Sequence, residues 1–427
     1  MTKLLEEILE DENIKEACKK VYANKGTNGI DGIKVEELND YMEKNWERIK
    51  TEITERKYRP QPVKRVEIPK PNGGVRKLGI PTVIDRVIEQ AITQKLTPIF
   101  EPIFNENSYG FRPGRRCEQA IIKLLEYFND GYIWIVDIDL EKFFDNVPQD
   151  KLMSYVGRVI HDGDTESLIR KYLKAGVMVR DKYEKTEIGT PQGGNLSPLL
   201  SNVMLNELDK ELTARGLRFA RYADDCVIVL KSEASAKRVM HSIVDFIERK
   251  LGLKVNATKT KITKPSKLKY LGFGFYKNCK TNLWEPRPHE ESFKKFTIKI
   301  KKLCNRSWSI DLETRIKKIN EVTRGWINYF RIGAMKNKLE NLDAHLRTMI
   351  RVIIWKQWKV PSKRQWGLQK LGVNKDLARL TSYCGDRYYF VVTKTCVVRA
   401  ITKEKLTQKG LVSPLDYYNQ KHILNLN

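Results

Sequence analysis

Hydrophobic and polar positions change period several times along the chain. Over the first 50 residues the apolar positions recur at helical spacing around a turn-rich segment, Lys25-Gly-Thr-Asn-Gly-Ile-Asp-Gly32. A basic hairpin is expected next, with Val63–Pro69 as one strand, Asn72-Gly73-Gly74 as the turn and Val75–Ile80 as the return. Residues 84–96 read as a helix with apolar residues along one side. Residues 132–138 form a nearly all-apolar run of buried-strand length, and Pro148 opens a helix reaching residue 160. Two strands, 216–222 and 226–230, flank a turn at Ala223-Asp224-Asp225. Val239, Ile243, Phe246 and Ile247 then space out a helix over 234–251, which Gly252 stops. Short strands are expected at 260–263 and 268–275. The order β-α-β-β-α-β is that of a ferredoxin-like sheet. Beyond about residue 290 the pattern becomes basic and amphipathic, with helices over 292–303 and 312–330. Five of the eight tryptophans fall in this last third.

Composition narrows the class. With 427 residues the chain is too long for one core, so two to four domains are expected. No apolar run reaches the roughly 18 residues that cross a bilayer. The N-terminus, MTKLLEEILEDEN, is acidic and amphipathic, unlike a secretory signal or transit peptide. A cytoplasmic protein with no membrane partner follows. The formal net charge is +26, unevenly placed: residues 1–290 carry 50 basic and 43 acidic side chains, residues 291–427 carry 29 and 10. A C-terminal excess of +19 points to a polyanionic partner, nucleic acid above all. The seven cysteines stand singly with no C-x-x-C pair, and the five histidines lack ligand spacing. Zinc, a disulfide framework and histidine-based chemistry are not expected.

The carboxylates carry the chemistry. Asp139 follows the buried strand, and Asp224 and Asp225 sit at a hairpin tip. In a β-α-β-β sheet the end of the first strand can lie beside that hairpin. Three carboxylates would then crowd at one edge, where like charges repel. Two Mg²⁺ ions would remove that repulsion and make a phosphoryl-transfer centre. Asp137 and Asp145 lie nearby; Asp137 alternates with Ile138 across the strand, and Asp145, just before Pro148, reads as a capping or turn residue.

Five ordered blocks resemble the reverse transcriptases: Ile135-Val-Asp-Ile-Asp-Leu-Glu-Lys-Phe-Phe-Asp-Asn146, Gly189-Thr-Pro-Gln-Gly-Gly-Asn-Leu-Ser-Pro198, Tyr222-Ala-Asp-Asp225, Gly252-Leu-Lys-Val-Asn-Ala-Thr-Lys-Thr260 and Leu268-Lys-Tyr-Leu-Gly-Phe273. The resemblance implies an α+β right-hand polymerase with fingers and a ferredoxin-like palm, followed by a helical thumb and a small basic C-terminal domain. It implies an N-terminal extension at 1–55, fingers and palm at 56–290, thumb at 291–360 and a nucleic-acid-binding domain at 361–427. Asp139, Asp224 and Asp225 become the metal-binding catalytic carboxylates, with the Leu140 carbonyl assisting. Phe144 becomes the gate beneath the sugar that excludes a ribose 2′-hydroxyl, and Gln192 contacts the incoming nucleotide. The basic hairpin resembles the family's fingers block, which makes Lys70 and Arg76 triphosphate ligands.

Three further segments resemble the group II intron branch: Gly26-Thr-Asn-Gly-Ile-Asp-Gly32, Ser108-Tyr-Gly-Phe-Arg-Pro-Gly-Arg115 and Arg324-Gly-Trp-Ile-Asn-Tyr-Phe330. The implied protein is a bacterial intron-encoded enzyme. Its partners would be group II intron RNA, target DNA, an RNA/DNA primer-template and dNTPs, with no particular oligomeric state implied. Arg112, Arg115, Lys259, Lys317, Lys318, Lys356 and Lys363 are the expected nucleic-acid contacts. Trp326 is read as thumb core. Residues 410–427 hold one histidine, His422, and no cysteine, so an HNH endonuclease domain is not expected. Two alternatives stay open. One is another bacterial reverse transcriptase of the retron, diversity-generating or CRISPR-associated kind; the other is a non-catalytic RNA-binding splicing factor.

Overall fold

Helices built from the apolar periodicities enclose three small sheets in the computed structural model, which describes residues 2–69, 73–180 and 182–423. The chain divides into two compact units, Met1–Lys264 and Pro265–Asn427.

In the first unit, Val83–Phe100 is the central helix. It buries Val83, Val87, Ile88, Ala91, Ile92 and Leu96 completely, and Asp85 and Glu89 almost so. Covered on nearly every side from Val83 to Ile92, its first half sits in a core. Lys3–Ile8, Asp11–Asn24 and Leu38–Thr54 place Leu5, Ile8, Ala17 and Leu38 in the same core. The expected hairpin is present with its bounds unchanged: β1 (Val63–Pro69) pairs antiparallel with β2 (Val75–Ile80), from Lys64 opposite Ile80 to Pro69 opposite Val75. The expected turn residue Asn72 lies outside the described residues. Two short strands, β4 (Val177–Val179) and β5 (Lys182–Glu184), extend this sheet in the order β2-β1-β4-β5.

The second sheet holds β3 (Trp134–Ile138), β6 (Arg218–Tyr222), β7 (Asp225–Leu230) and β8 (Lys261–Thr263) in the order β6-β7-β3-β8, every neighbour antiparallel. This is how β-α-β-β-α-β elements pack when the first and third strands take the centre. β7 is apolar from Cys226 to Leu230 because both its faces are covered. Asp225 is the first residue of β7, paired with Tyr222, so the turn is the two residues Ala223-Asp224. Gln149–Ile160, Gly163–Leu173 and Ser197–Ala214 lie between β3 and β6, the last packing on β6. Glu233–Asp245, between β7 and β8, packs on β3 and β7 and runs into a widened turn that ends at Gly252, φ +71°.

The second unit opens with a separate two-stranded sheet, β9 (Phe273–Lys277) with β10 (Trp284–Pro288). The strand expected at 268–275 therefore starts later and finds its partner in β10. Helices follow at Glu290–Leu303, Leu312–Phe330 and Lys336–Gln357, then short ones to Pro414–Lys421. Trp326 stacks on Phe296 with ring centroids 4.3 Å apart and packs against Phe293 and Phe330, the core role expected of it. Among the described residues no helix is long and apolar enough to cross a membrane.

Candidate active site

β3 and the β6–β7 hairpin end at one edge of their shared sheet. Asp139 leaves β3 with its backbone fixed: its N–H donates to Thr260 Oγ1 at 3.1 Å, and its carbonyl accepts the Asn256 N–H at 2.8 Å. Leu140 bridges to Val255 and is buried. Ala223 turns the hairpin with φ +56°, a left-handed conformation that costs an L-residue about 1–2 kcal/mol. That strain needs support from around it.

The carboxylates feel one another. Burial, then the charge of Asp139, raises the Asp224 carboxyl, while Arg76 and Arg221 lower it. Burial of its surroundings, then Asp224, Asp137 and Asp139, push Asp225 up to about 7, with Lys259 opposing. Asp225 is itself exposed, so the crowding of like charge is the firmer of these causes. Asp137 is pushed up to about 6 by burial and by Asp139, against the pull of Lys261. It shares a strand face with Asp139, so the acidic edge has four members where the sequence suggested three. Lys259 Nζ stands 3.4 Å from Asp139 Oδ2.

Among the described residues no three acidic, His or Cys side chains converge closely enough to hold an ion as they stand. The donor chemistry nevertheless fits a hard divalent cation: these are carboxylate oxygens, crowded and relieved by positive charge. Arg76, exposed on β2, brings the basic hairpin within electrostatic reach of Asp224. Lys70 lies outside the described residues.

The same unit holds a cavity of about 430 Å³ lined by Phe144, Gln192, Asn195, Gln90, Asn24 and Phe111, among others. Phe143 takes the core position, 3% exposed, and leaves Phe144 on the cavity wall. The loop holding Gln192 is tied down on two sides. Gly79 N–H donates to the Gln192 carbonyl at 2.8 Å, and Thr190 N–H to the Phe144 carbonyl at 2.7 Å. Gly193, φ +127°, has no room for a side chain: a Cβ there would lie 2.4 Å from the Gly79 oxygen.

Glu89 pins this loop from beneath, its Oε2 accepting the Asn195 N–H at 2.5 Å. Burial, and then Asp85, push its carboxyl up to about 8, against its backbone N–H partners and Arg86. The folded value lies above the ordinary 4.5, so the folded chain binds more protons than the unfolded one between the two values. That stability is full below about pH 4.5 and is lost as pH rises through about 8. Wild-type stability should therefore decline between pH 5 and 8.5 by up to a few kcal/mol, since each tenfold change in proton affinity is worth about 1.4 kcal/mol. Glu89→Gln should flatten that slope in melting experiments; parallel pH profiles for the two proteins would contradict the assignment.

Several expected positions need correction. Arg112 is buried and committed to Glu101 and to the Asn105 and Ser108 carbonyls, so it holds its own loop and has no free face for nucleic acid. Asp145 does not cap the helix after Pro148; it is an exposed member of the short helix Phe143–Asn146. Lys356 is half-buried and donates to the Arg306 carbonyl at 3.1 Å. Lys259 stands at the acidic edge. Arg115 is half-exposed over the Tyr109 ring, and Lys317, Lys318 and Lys363 are exposed.

Two family models match the chain. That of the reverse transcriptase (RNA-dependent DNA polymerase) covers residues 68–275, and that of the group II intron maturase-specific domain covers residues 293–372. Protein YkfC of Escherichia coli strain K12 is 33% identical over 300 residues, 61% of this chain and 79% of that protein. The group II intron-encoded protein LtrA of Lactococcus lactis subsp. cremoris is 36% identical over 230 residues, 53% of this chain and 38% of that one. The putative COX1/OXI3 intron 2 protein of Saccharomyces cerevisiae is 30% identical over 333 residues, 64% of this chain and 37% of that one. The matches thus span most of the first relative and little more than a third of the other two. The carboxylates, Arg76, Phe144 and Gln192 all fall within the first family match.

Proposed function

Because the chain belongs to the reverse transcriptases of the group II intron maturase family, we propose that it is an RNA-directed DNA polymerase. In this reading it binds its own intron RNA, assists the splicing of that RNA and copies it into DNA by target-primed reverse transcription. The observation that carries the reading is the crowding of Asp139, Asp224 and Asp225 at one sheet edge, with Arg76 within electrostatic reach of Asp224.

In the same reading, 1–55 is an N-terminal extension, 56–290 fingers and palm, 291–360 a helical thumb and 361–427 a basic nucleic-acid-binding domain. Asp139, Asp224, Asp225 and the Leu140 carbonyl would hold two Mg²⁺ ions. When bound, the ions supply activation of the primer 3′-hydroxyl and stabilisation of the triphosphate. Arg76 neutralises charge on the phosphates, Gln192 orients the nucleotide, and the Phe144 ring occupies the space a 2′-hydroxyl would need. Lys259, now paired with Asp139, neutralises the acidic edge between substrates. Extension of oligo(dT) on poly(rA) with Mg²⁺ and labelled dTTP tests the reading, and a folded protein that binds RNA yet adds no dTMP would favour a non-catalytic splicing factor.

The C-terminal charge gives a second test. Neutralising Lys317, Lys318 and Lys363 together should weaken intron RNA binding. Each lost phosphate contact should remove up to about 0.7–0.9 from the slope of log K against log salt. Lys356 is left intact because it is spent on a carbonyl. Assisted splicing should suffer more than short primer extension at saturating substrate. Equal slopes and affinities in a salt titration would mean the lysines are only solvated surface.

A further inference from the structure

Arg221, one residue before the Tyr222-Ala-Asp-Asp225 motif, has no part in the chemistry proposed above, yet all three of its guanidinium nitrogens are bonded. It is fully buried, as is Asp209 on the helix Ser197–Ala214. Nε donates to Asp209 Oδ1 at 2.7 Å and Nη2 to Oδ2 at 2.5 Å, a two-pronged pair. Nη1 donates to Asn202 Oδ1 at 3.0 Å and to the Ala223 carbonyl at 2.8 Å, and Nη2 also to Ser108 Oγ at 2.7 Å.

Backbone bonds join the 107–109 segment to Arg221, and the Asn202 side chain adds the helix. Arg221 N–H donates to the Asn107 carbonyl at 2.9 Å, and Tyr109 N–H to the Arg221 carbonyl at 2.8 Å. Asn202 Nδ2 donates to the Gly110 carbonyl at 2.9 Å. Gly110 lies so close to the turn that a Cβ on it would stand 2.2 Å from the Ala223 nitrogen. A buried ion pair is a poor source of stability compared with apolar residues of the same size. What this one does is hold the carbonyl of a residue in a strained left-handed conformation, directly before Asp224.

We infer that Arg221, oriented by Asp209, is a positioning residue that locks the Ala223-Asp224 turn onto the Ser108–Gly110 segment and so fixes where the Asp224 carboxylate stands relative to Asp139. The inference rests on the reading of Asp224 as a metal-binding carboxylate. It also accounts for the Ser-Tyr-Gly block, which is the wall against which the turn is held.

The test uses the full chain with Arg221→Met and Asp209→Leu combined, which removes both buried charges together, and Gly110→Ala as an independent displacement of the turn. Three readouts are taken: backbone amide exchange over 222–226, Mn²⁺ binding by electron paramagnetic resonance, and kcat and KM for dTTP. Melting confirms that each variant is folded. The expected result is faster exchange at the turn and Mn²⁺ affinity weakened by about 10–100-fold. With it, kcat should fall by about a hundredfold while KM for dTTP moves little. Should the double variant fail to fold, Gly110→Ala decides alone by the same readouts. Folded variants with unchanged exchange and unchanged Mn²⁺ affinity overturn the inference, since a merely structural pair would leave both alone. A wild-type protein that extends no primer would sink the polymerase reading, while exchange and Mn²⁺ binding would still decide the clamp.

Discussion

Asp224→Asn, and separately Asp139→Asn, should lower RNA-templated DNA synthesis by about a thousandfold or more, because losing metal-centred stabilisation costs several kcal/mol of barrier. The substitutions are isosteric. Asp139 makes its structural bonds through its backbone, to Thr260 and Asn256, and among the described residues its carboxylate pairs with Lys259. Removing one charge also relieves like-charge crowding at the edge, since Asp139 and Asp224 both raise Asp225. Melting temperature should therefore hold or rise slightly, and RNA affinity, which we propose the basic C-terminal region supplies in large part, should stay near wild type. Primer extension, melting and RNA binding on the same preparations check this. Retention of more than about a tenth of wild-type synthesis by either variant would remove that aspartate from the chemistry.

Phe144→Ala or Val should raise incorporation of CTP relative to dCTP by roughly a hundredfold, which requires a loss of only about 2–3 kcal/mol of discrimination. The placement supports a gate because its neighbour Phe143 fills the core, while Phe144 lines the cavity with Gln192. The Phe144 carbonyl accepts the Thr190 N–H, a bond that survives truncation of the ring. Stability should therefore fall by less than Phe143→Ala would cost. Single-nucleotide kinetics with both substrates measure the ratio, and an unchanged ratio would make Phe144 a packing residue.

What the sequence disclosed and what it hid have physical reasons. The β1–β2 hairpin could be bounded to the residue because a Gly pair breaks two extended runs. The helices Gln149–Ile160 and Glu233–Asp245 could be placed because Pro148 opens the first and Gly252 closes the turn after the second. β10 was hidden: Trp284–Pro288 carries two prolines, which read against a strand unless it lies at an edge, as it does in this two-stranded sheet. Arg112 was misjudged because a basic residue in a Gly/Pro loop looks solvated, and nothing local shows that Glu101 folds back onto it. Lys356 follows the five buried residues Arg351 to Trp355 near the end of its helix, and its head turns to the Arg306 carbonyl. Asp137 could have been found from its period-two spacing to Asp139. Arg221 could not, since a charged residue in a strand usually faces water, and its partner Asp209 is fixed only by the tertiary fold.

The proposed function has this chain copying RNA into DNA at the edge formed by β3 and the β6–β7 turn. It is tested most directly by giving the purified full chain a heteropolymeric RNA template with an annealed DNA primer, Mg²⁺ and all four dNTPs, and sequencing the product. The expected product is a DNA strand complementary to the template, dependent on Mg²⁺, made by wild type and absent with Asp224→Asn at equal RNA occupancy. A wild-type protein that binds the primer-template and leaves the primer unextended, or an Asp224→Asn protein that extends it as wild type does, would contradict it.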